Sequence, residues 1–475
     1  MIRRSYLFLL IFALIAACLL IDPLPARSQQ QVTIKQADKA TIIKQNKQSV
    51  RKLIGNVHLV SGEVEMYSDS TLQYLDEGIL KSYGNIQINT PNERIWSDSL
   101  YYDMQSELSR FRNRVLVLTD QTKLFGDKIN YNFLTKVAYF LSPVRMKDEQ
   151  GILTAQQGYY IENRDSAVFR YQVQMKDTLQ YVEGDSLHMN RTSEVYEMYG
   201  RVFADDRENQ LKLSGNYLEA DSLQRKVSGD AYLQRFVEKE GQMDTTHIRA
   251  RDIIYTKTDT TDLLDAYGNV RIWSRQFSAV ADSARYFKSS EKFELWSNPR
   301  AWHQSIQLTG PYIEIQMDSQ QVDQLISYPS PFAVKHDTSL DRYHQIKGDT
   351  LTAHFQNGDL SQIHVRPNSQ LLYYTKDEKE QSDGAIRMTA QSTRILFEND
   401  TLKKVRSQKS IDGTYLPESQ NPGEKRLDGY TWEPELRPVR PDTTLEPKWD
   451  PIPEKPPFAL PERYLQYSKT VDDSL

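Results

Sequence analysis

A period constrains this chain more than any other feature. The segments Met66-Tyr67-Ser68-Asp69, Ile95-Trp96-Ser97-Asp98 and Leu124-Phe125-Gly126-Asp127 repeat one pattern at a spacing of 29 residues. With the Asp as position zero, zeros fall at 69, 98, 127, Gln156 and 185. They continue less regularly at Asn216, Arg251, Asp282, Pro311, Asp349 and Gln391, which makes eleven units. A period of this length commits a chain to stacking one supersecondary unit on the next.

The columns of the repeat carry the physics. Position −3 is Met66, Ile95, Leu124, Leu153, Val182, Leu213, Ile248, Ala279, Leu308, Ile346 and Met388, all apolar. Position −1 is Ser, Gly or Ala in every unit. Arg251 is chosen over Asp252 as the seventh zero because only it satisfies both columns. Positions −3 and −1 share one face of a strand. Beyond zero the apolar parity moves to +2 and +4, as in Leu100 and Tyr102, Ile129 and Tyr131, Leu187 and Met189, and Ile313 and Ile315. A period-2 pattern that slips by one residue predicts a bulge or sharp bend near zero. The small −1 residue would let a facing sheet come close, with the zero residue pointing outward.

A second strand follows at fixed distance. Position +17 is Ile86, Val115, Val144, Val173 and Val202; position +19 is Ile88, Val117, Met146, Met175 and Ala204. Gln87, Arg145 and Gln174 lie between them, with Leu116 the exception. This alternation predicts antiparallel sheet with one wet face. The pattern gives an all-β protein with two apolar-faced sheets, in which Ile95, Leu124, Leu153 and Val182 are expected to face Val115, Val144 and Val173. No helical period runs between 50 and 410; the only helix candidate is Ile34–Lys52.

The ends differ from the body. Residues 1–28 read as a secretory signal peptide: Arg3 and Arg4, then an uncharged run from Ser5 to Ile21, then Ala26-Arg27-Ser28 before a cut that leaves Gln29 first. A second reading stands beside it, since Ile15-Ala16-Ala17-Cys18 resembles a lipobox and would make Cys18 a lipid anchor. Residues 29–49 are a lead-in, 50–416 the repeat and 417–475 a tail. Eleven of the twenty prolines lie in that tail. Proline cannot donate to a ladder, so the tail reads as extended or disordered chain. Trp432, Trp449, Phe458, Tyr464 and Tyr467 are candidate anchors to a surface.

No nucleotide-binding loop, dinucleotide fingerprint, zinc-protease helix or serine elbow is present. The lone Cys is in the leader, so a cysteine nucleophile is excluded. His336, His344, His354 and His364 are spaced by 8, 10 and 10 residues, unlike the short spacings of zinc ligands. The reading is therefore not an enzyme, with no metal or cofactor. The formal net charge of −5 also argues against a nucleic-acid partner.

The stretch Gly55-Asn56-Val57-His58-Leu59-Val60-Ser61-Gly62 through Ser68-Asp69 resembles the OstA-like family, as do Gly84-Asn85-Ile86, Gly268-Asn269-Val270 and Ala281-Asp282. The resemblance covers most of 50–410. It implies an elongated, LptA-like antiparallel two-sheet β-jellyroll folded over an apolar groove that holds lipopolysaccharide acyl chains. It implies a periplasmic conduit toward the outer membrane. Partners would be lipopolysaccharide or a related glycolipid, and other transport proteins at both membranes, joined by sheet-edge stacking. The expected groove residues are Met66, Ile86, Ile95, Val115, Leu124, Val144, Leu153, Val173, Val182, Val202 and Leu213. Two other classes remain open: a protein-binding β-scaffold, and a polysaccharide-acting β-helix enzyme, for which no out-of-pattern carboxylate cluster is found.

Overall fold

The computed structural model describes residues 32–468, apart from 46–47, 120–121, 150, 191, 240–241, 261, 319–320, 380, 399–400, 421–422 and 443. The leader, Cys18 and the Gln29 start lie outside the described residues. Two compact units result: residues 1–208 with 217–222 and 447–475, and residues 209–216 with 223–446.

In the first unit the strands run Val64–Tyr74, Ile79–Asn89, Arg94–Asp103, Leu108–Leu118 and Lys123–Asn132, each antiparallel to the next. Each ladder is interrupted once at the expected bend, between Tyr67 and Ser70, Tyr83 and Ile86, Trp96 and Ser99, and Arg112 and Val115. Every strand therefore passes through two sheets, with a corner between them. The parity slip is real: Leu100, Ile129, Leu187 and Met189 are all buried beyond the corner.

The corner explains the Gly-Asn motif. Gly84 and Asn85 both adopt left-handed backbone, at φ 75° and 43°. Asn tolerates that region better than most side chains, and Gly is free there. A Cβ on Gly84 would lie 2.3 Å from Asp69 Oδ2, so the neighbouring zero residue fills its place. Asn85 Nδ2 donates to that same oxygen at 2.9 Å. Asn56 and Asp38 repeat the latch at 3.0 Å. At Arg114 and Asp98 a guanidinium replaces the amide, at 2.7 Å.

The lead-in is not helical. Thr33–Gln36 and Lys39–Gln45 are strands that pair with Gln48–Ser61 on either side of Ala37-Asp38. The helix expected over Ile34–Lys52 is absent because Asp38 is one more zero, with Gly55-Asn56 as its partner corner. In the second unit Arg251 takes the zero position: a Cβ on Gly268 would lie 3.0 Å from its Cβ, while Ile248 and Ala250 are buried. The same unit continues through paired strands to Thr401–Gln408 and Asp412–Pro417.

The tail is ordered over its described residues and mostly without regular structure. It carries one 3-10 turn, Pro434–Leu436, and one short α-helix, Glu462–Ser468, which the sequence pattern did not suggest. In the first unit Tyr464 meets Trp96 edge-on at 5.2 Å and Phe458 meets Phe125 at 5.8 Å. Tyr467 accepts from Arg94 at 2.9 Å, and Arg201 sits 5.6 Å over Trp449. In the second unit Trp432 lies 5.4 Å from Tyr343, and Leu427 joins Phe332, Val334, Leu372 and Tyr374 in a core cluster. All five aromatic anchors make such contacts.

Candidate functional site

In both units one sheet holds the −3, −1, +17 and +19 columns and receives the tail on its outer face. It is called here the tail-side sheet; the other is the far sheet. On the inner face of the tail-side sheet in the first unit, Met66, Ile86, Val115, Leu124, Val144, Leu153, Val173, Val182 and Val202 are buried, and Ile95 is half-buried. Leu213, in the second unit, is half-buried.

These residues are brought together, but not as expected. Leu124 pairs with Val117 and Met146, Val144 with Gly126 and Ala155, and Leu153 with Met146 and Met175. Columns −3 and +17 are thus neighbours on one sheet and do not face each other. The period found both columns, but periodicity along a chain does not say which strands pair across a sandwich. The facing wall comes from the far sheet: Leu100, Phe111, Ile129, Phe169, Leu187 and Met198. Sequence reading recovered Leu100, Ile129 and Leu187 as the +2 column and missed Phe111, Phe169 and Met198.

The small −1 column works as a socket. A Cβ on Gly184 would stand 2.3 Å from Met198 Cγ. A Cβ on Gly215 would stand 2.5 Å from Val227 Cγ1, and one on Gly348 2.4 Å from Val365 Cγ1. Far-sheet side chains therefore fill the space that a larger −1 residue would take. The interior is packed with the protein's own side chains, as protein cores are. Between the sheets of the second unit, Leu308, Leu325, Leu351, Phe355 and Ile363 line a void of only about 30 Å³, roughly one water's share of liquid volume.

Two of the three polar residues between the columns, Arg145 and Gln174, are not on a wet face. Arg145 is buried and donates to the carbonyl oxygens of Pro453, Glu454 and Lys455. Gln174 Nε2 donates to Asp450 O at 2.8 Å, and Lys448 N donates to Glu183 at 2.6 Å. In the second unit Gln307 donates to Thr431 O and accepts from Glu433 N, at 3.0 and 2.9 Å. Gln345 donates to Lys425 O and accepts from Leu427 N, at 3.0 and 2.7 Å. A proline-rich chain lacks the N–H groups for a full ladder. Carboxamides with one donor and one acceptor arm read its backbone instead. Leu116, the exception in its column, is fully buried in the same cluster as Tyr464.

Two titratable groups on the tail-side sheet, His344 and Glu93, are shifted toward their neutral forms. Burial pushes the His344 imidazole down to about 4, against the pull of Asp337 at 3.5 Å. Burial, and then the Glu162 carboxylate, push Glu93 up to about 7. Among the described residues no group of three or more His, Asp or Glu is placed to hold a metal ion. No described helix is long and apolar enough to cross a membrane.

Fold and corner chemistry define an all-β antiparallel jellyroll with a repeated Gly-Asn and Asp latch. Residues 29–185 match the family model described as OstA-like protein. Among solved structures, the chain is similar to LptH, described as the LptA homologous periplasmic component of the conserved lipopolysaccharide transport device from Pseudomonas aeruginosa. That similarity is 15% identity over 25% of this chain and 82% of that one, with a TM-score of 0.23. No curated protein matches the chain.

Proposed function

We propose that the apolar interior between the two sheets binds the acyl chains of an outer-membrane glycolipid, lipopolysaccharide in the first instance, in the periplasm and without catalysis. The observation that carries this reading is the hinge-like section of each unit. Along one edge the sheets are joined by corners. Along the other they end in separate turns, such as 90–93 on the tail-side sheet and 104–107 on the far sheet. Parting the turns would open a mainly apolar slot, dotted with small hydroxyls such as Ser68, Thr71 and Ser82 and with Glu93 at its mouth, while the latched corners hold. Acyl burial gains about 0.8 kcal/mol per CH₂, enough for affinity without a charged pocket. The OstA-like segment supports the same reading. Leader cleavage after Ser28, or lipidation of Cys18, would deliver the chain to that compartment, and exposed edges such as Lys39–Gln45 would meet partner proteins by strand addition.

A second reading is favoured by the filled interior. With Met198 seated on Gly184, the sandwich is complete as it stands, as a protein-binding scaffold would be. Capture of labelled lipopolysaccharide by delipidated protein separates the two. The conduit requires saturable capture that free acyl chains compete away; its absence leaves the scaffold.

A further inference from the structure

The second unit has a polar cavity of about 330 Å³ at the edge where its sheets end in turns. Its walls include Arg275 and Gln276 from the turn 274–277, His303 and Gln304 from the tail-side sheet, Asp359 at a far-sheet turn, and Arg437 from the tail. Arg437 is held by donation to Gln304 O at 2.7 Å and Ser278 Oγ at 3.3 Å. Arg275 is more than half exposed and reaches Asp244 only at 3.9 Å. Arg440 adds a third guanidinium 5.8 Å over the ring of Trp273, which also lines the cavity. Three arginines against the carboxylates of Asp359, in the lining, and Asp244, beside Arg275, leave the surroundings net positive, in a chain whose formal charge is −5.

His303 is the partition. It lines this cavity and also the apolar void of about 30 Å³ between the sheets. Its ring meets Phe355 of the far sheet at 4.8 Å and 73°, and its Nδ1 donates to Gln276 O at 2.8 Å. Cationic rim, aromatic partition and apolar interior thus follow one another over a few residues. That sequence of environments fits one class of molecule, an amphiphile with an anionic head.

We infer that this cavity is the headgroup site of an anionic amphiphile, with a phosphate or carboxylate between Arg275 and Arg437 and the acyl chain entering between His303 and Phe355. The inference rests on the acyl-chain reading and adds to it a place of entry and a charge preference. Arginine's planar fork suits phosphate oxygens in paired contacts.

The test is calorimetric titration of the full mature chain with three probes below their micelle points. They are lysophosphatidic acid, an alkyl maltoside of the same chain length, and inorganic phosphate. The site predicts that lysophosphatidic acid binds about tenfold or more tighter than the maltoside, the size of a charge-assisted contact. Arg275→Ala with Arg437→Ala should erase that preference and leave maltoside binding in place. Because Arg437 also fastens the tail, Arg275→Ala alone is the second variant; its side chain is more than half exposed and gives up only a long contact to Asp244, and it should reduce the preference severalfold. Equal affinity for both amphiphiles, or a preference that survives both variants, overturns the headgroup site and leaves the acyl-chain reading standing. Phosphate bound as tightly as the lipid shows a plain anion site and also overturns it. Binding of neither amphiphile overturns both readings.

Discussion

The two sheets of each unit share an interior and differ on their outer faces. The far sheet meets water: in the second unit Lys292 pairs with Glu294 along its own strand at 2.7 Å and with Glu314 on the neighbouring strand at 3.7 Å, and in the first Lys81 and Arg110 lie over the Tyr101 ring. The tail-side sheet is covered. Trp96, Leu116, Trp302, Gln307, Gln345 and Tyr374 are each at most 1% exposed. One sheet is therefore an ordinary half-wet antiparallel sheet, and the other is buried on both faces, inside by the far sheet and outside by a strap of its own chain. A polar residue on a strand is thus no sign of solvent where a proline-rich tail can take its hydrogen bonds.

The comparison breaks most sharply if the strap is removed. Deleting 418–475 would uncover the large side chains of the tail-side sheet, at about 1.5–3 kcal/mol for each one exposed. We expect a severe loss of thermal stability and association through the bared patch. An unchanged melting curve would mean that the tail only rests on the sheet.

Smaller effects sharpen the comparison. Gln307→Ala or Gln345→Ala would leave buried tail N–H and C=O groups unpaired, at about 1–3 kcal/mol each. Lys81→Ala on the far sheet should stay within about 0.5 kcal/mol. Denaturant midpoints of the three variants decide it, and equal shifts would erase the distinction between the faces.

The smallest expected effect is in pH. The folded state holds His344 neutral, with its value lowered from 6.5 to about 4. Between those values the unfolded chain binds the extra proton, so stability falls as pH drops through that window. His344 stacks on Tyr373 at 4.2 Å. Glu93 works the other way: raised from 4.5 to about 7, it costs stability as pH rises through that range. His344→Phe and Glu93→Gln should each flatten one limb of the stability profile, by on the order of 1 kcal/mol.

The period made the repeated strands, the corner and the buried columns legible, because each is a local pattern of side-chain size and polarity. Ala37-Asp38 carries the same small-then-Asp signal and was legible too, but Lys35 occupies its −3 position and hid the unit. What stayed hidden is non-local. Nothing within the window around Gln345 says that Leu427 lies over it, and only Leu116, Trp96 and Phe125, apolar at outward positions, hinted that the outer face was covered. The cavity beside His303 was equally out of reach. It joins turns at 274–277 and 357–358 with Arg437, residues that no periodic column relates.

Photo-crosslinkers placed one at a time across the first unit test the central claim most directly. Leu124 and Val144 point into the interior, while Asp98 and Asp127 sit at the corners outside it. With lipopolysaccharide supplied, lipid should attach at Leu124 and Val144 and not at Asp98 or Asp127. Equal labelling at all four positions, or labelling at none, would contradict an acyl-binding interior and leave a filled, strapped scaffold.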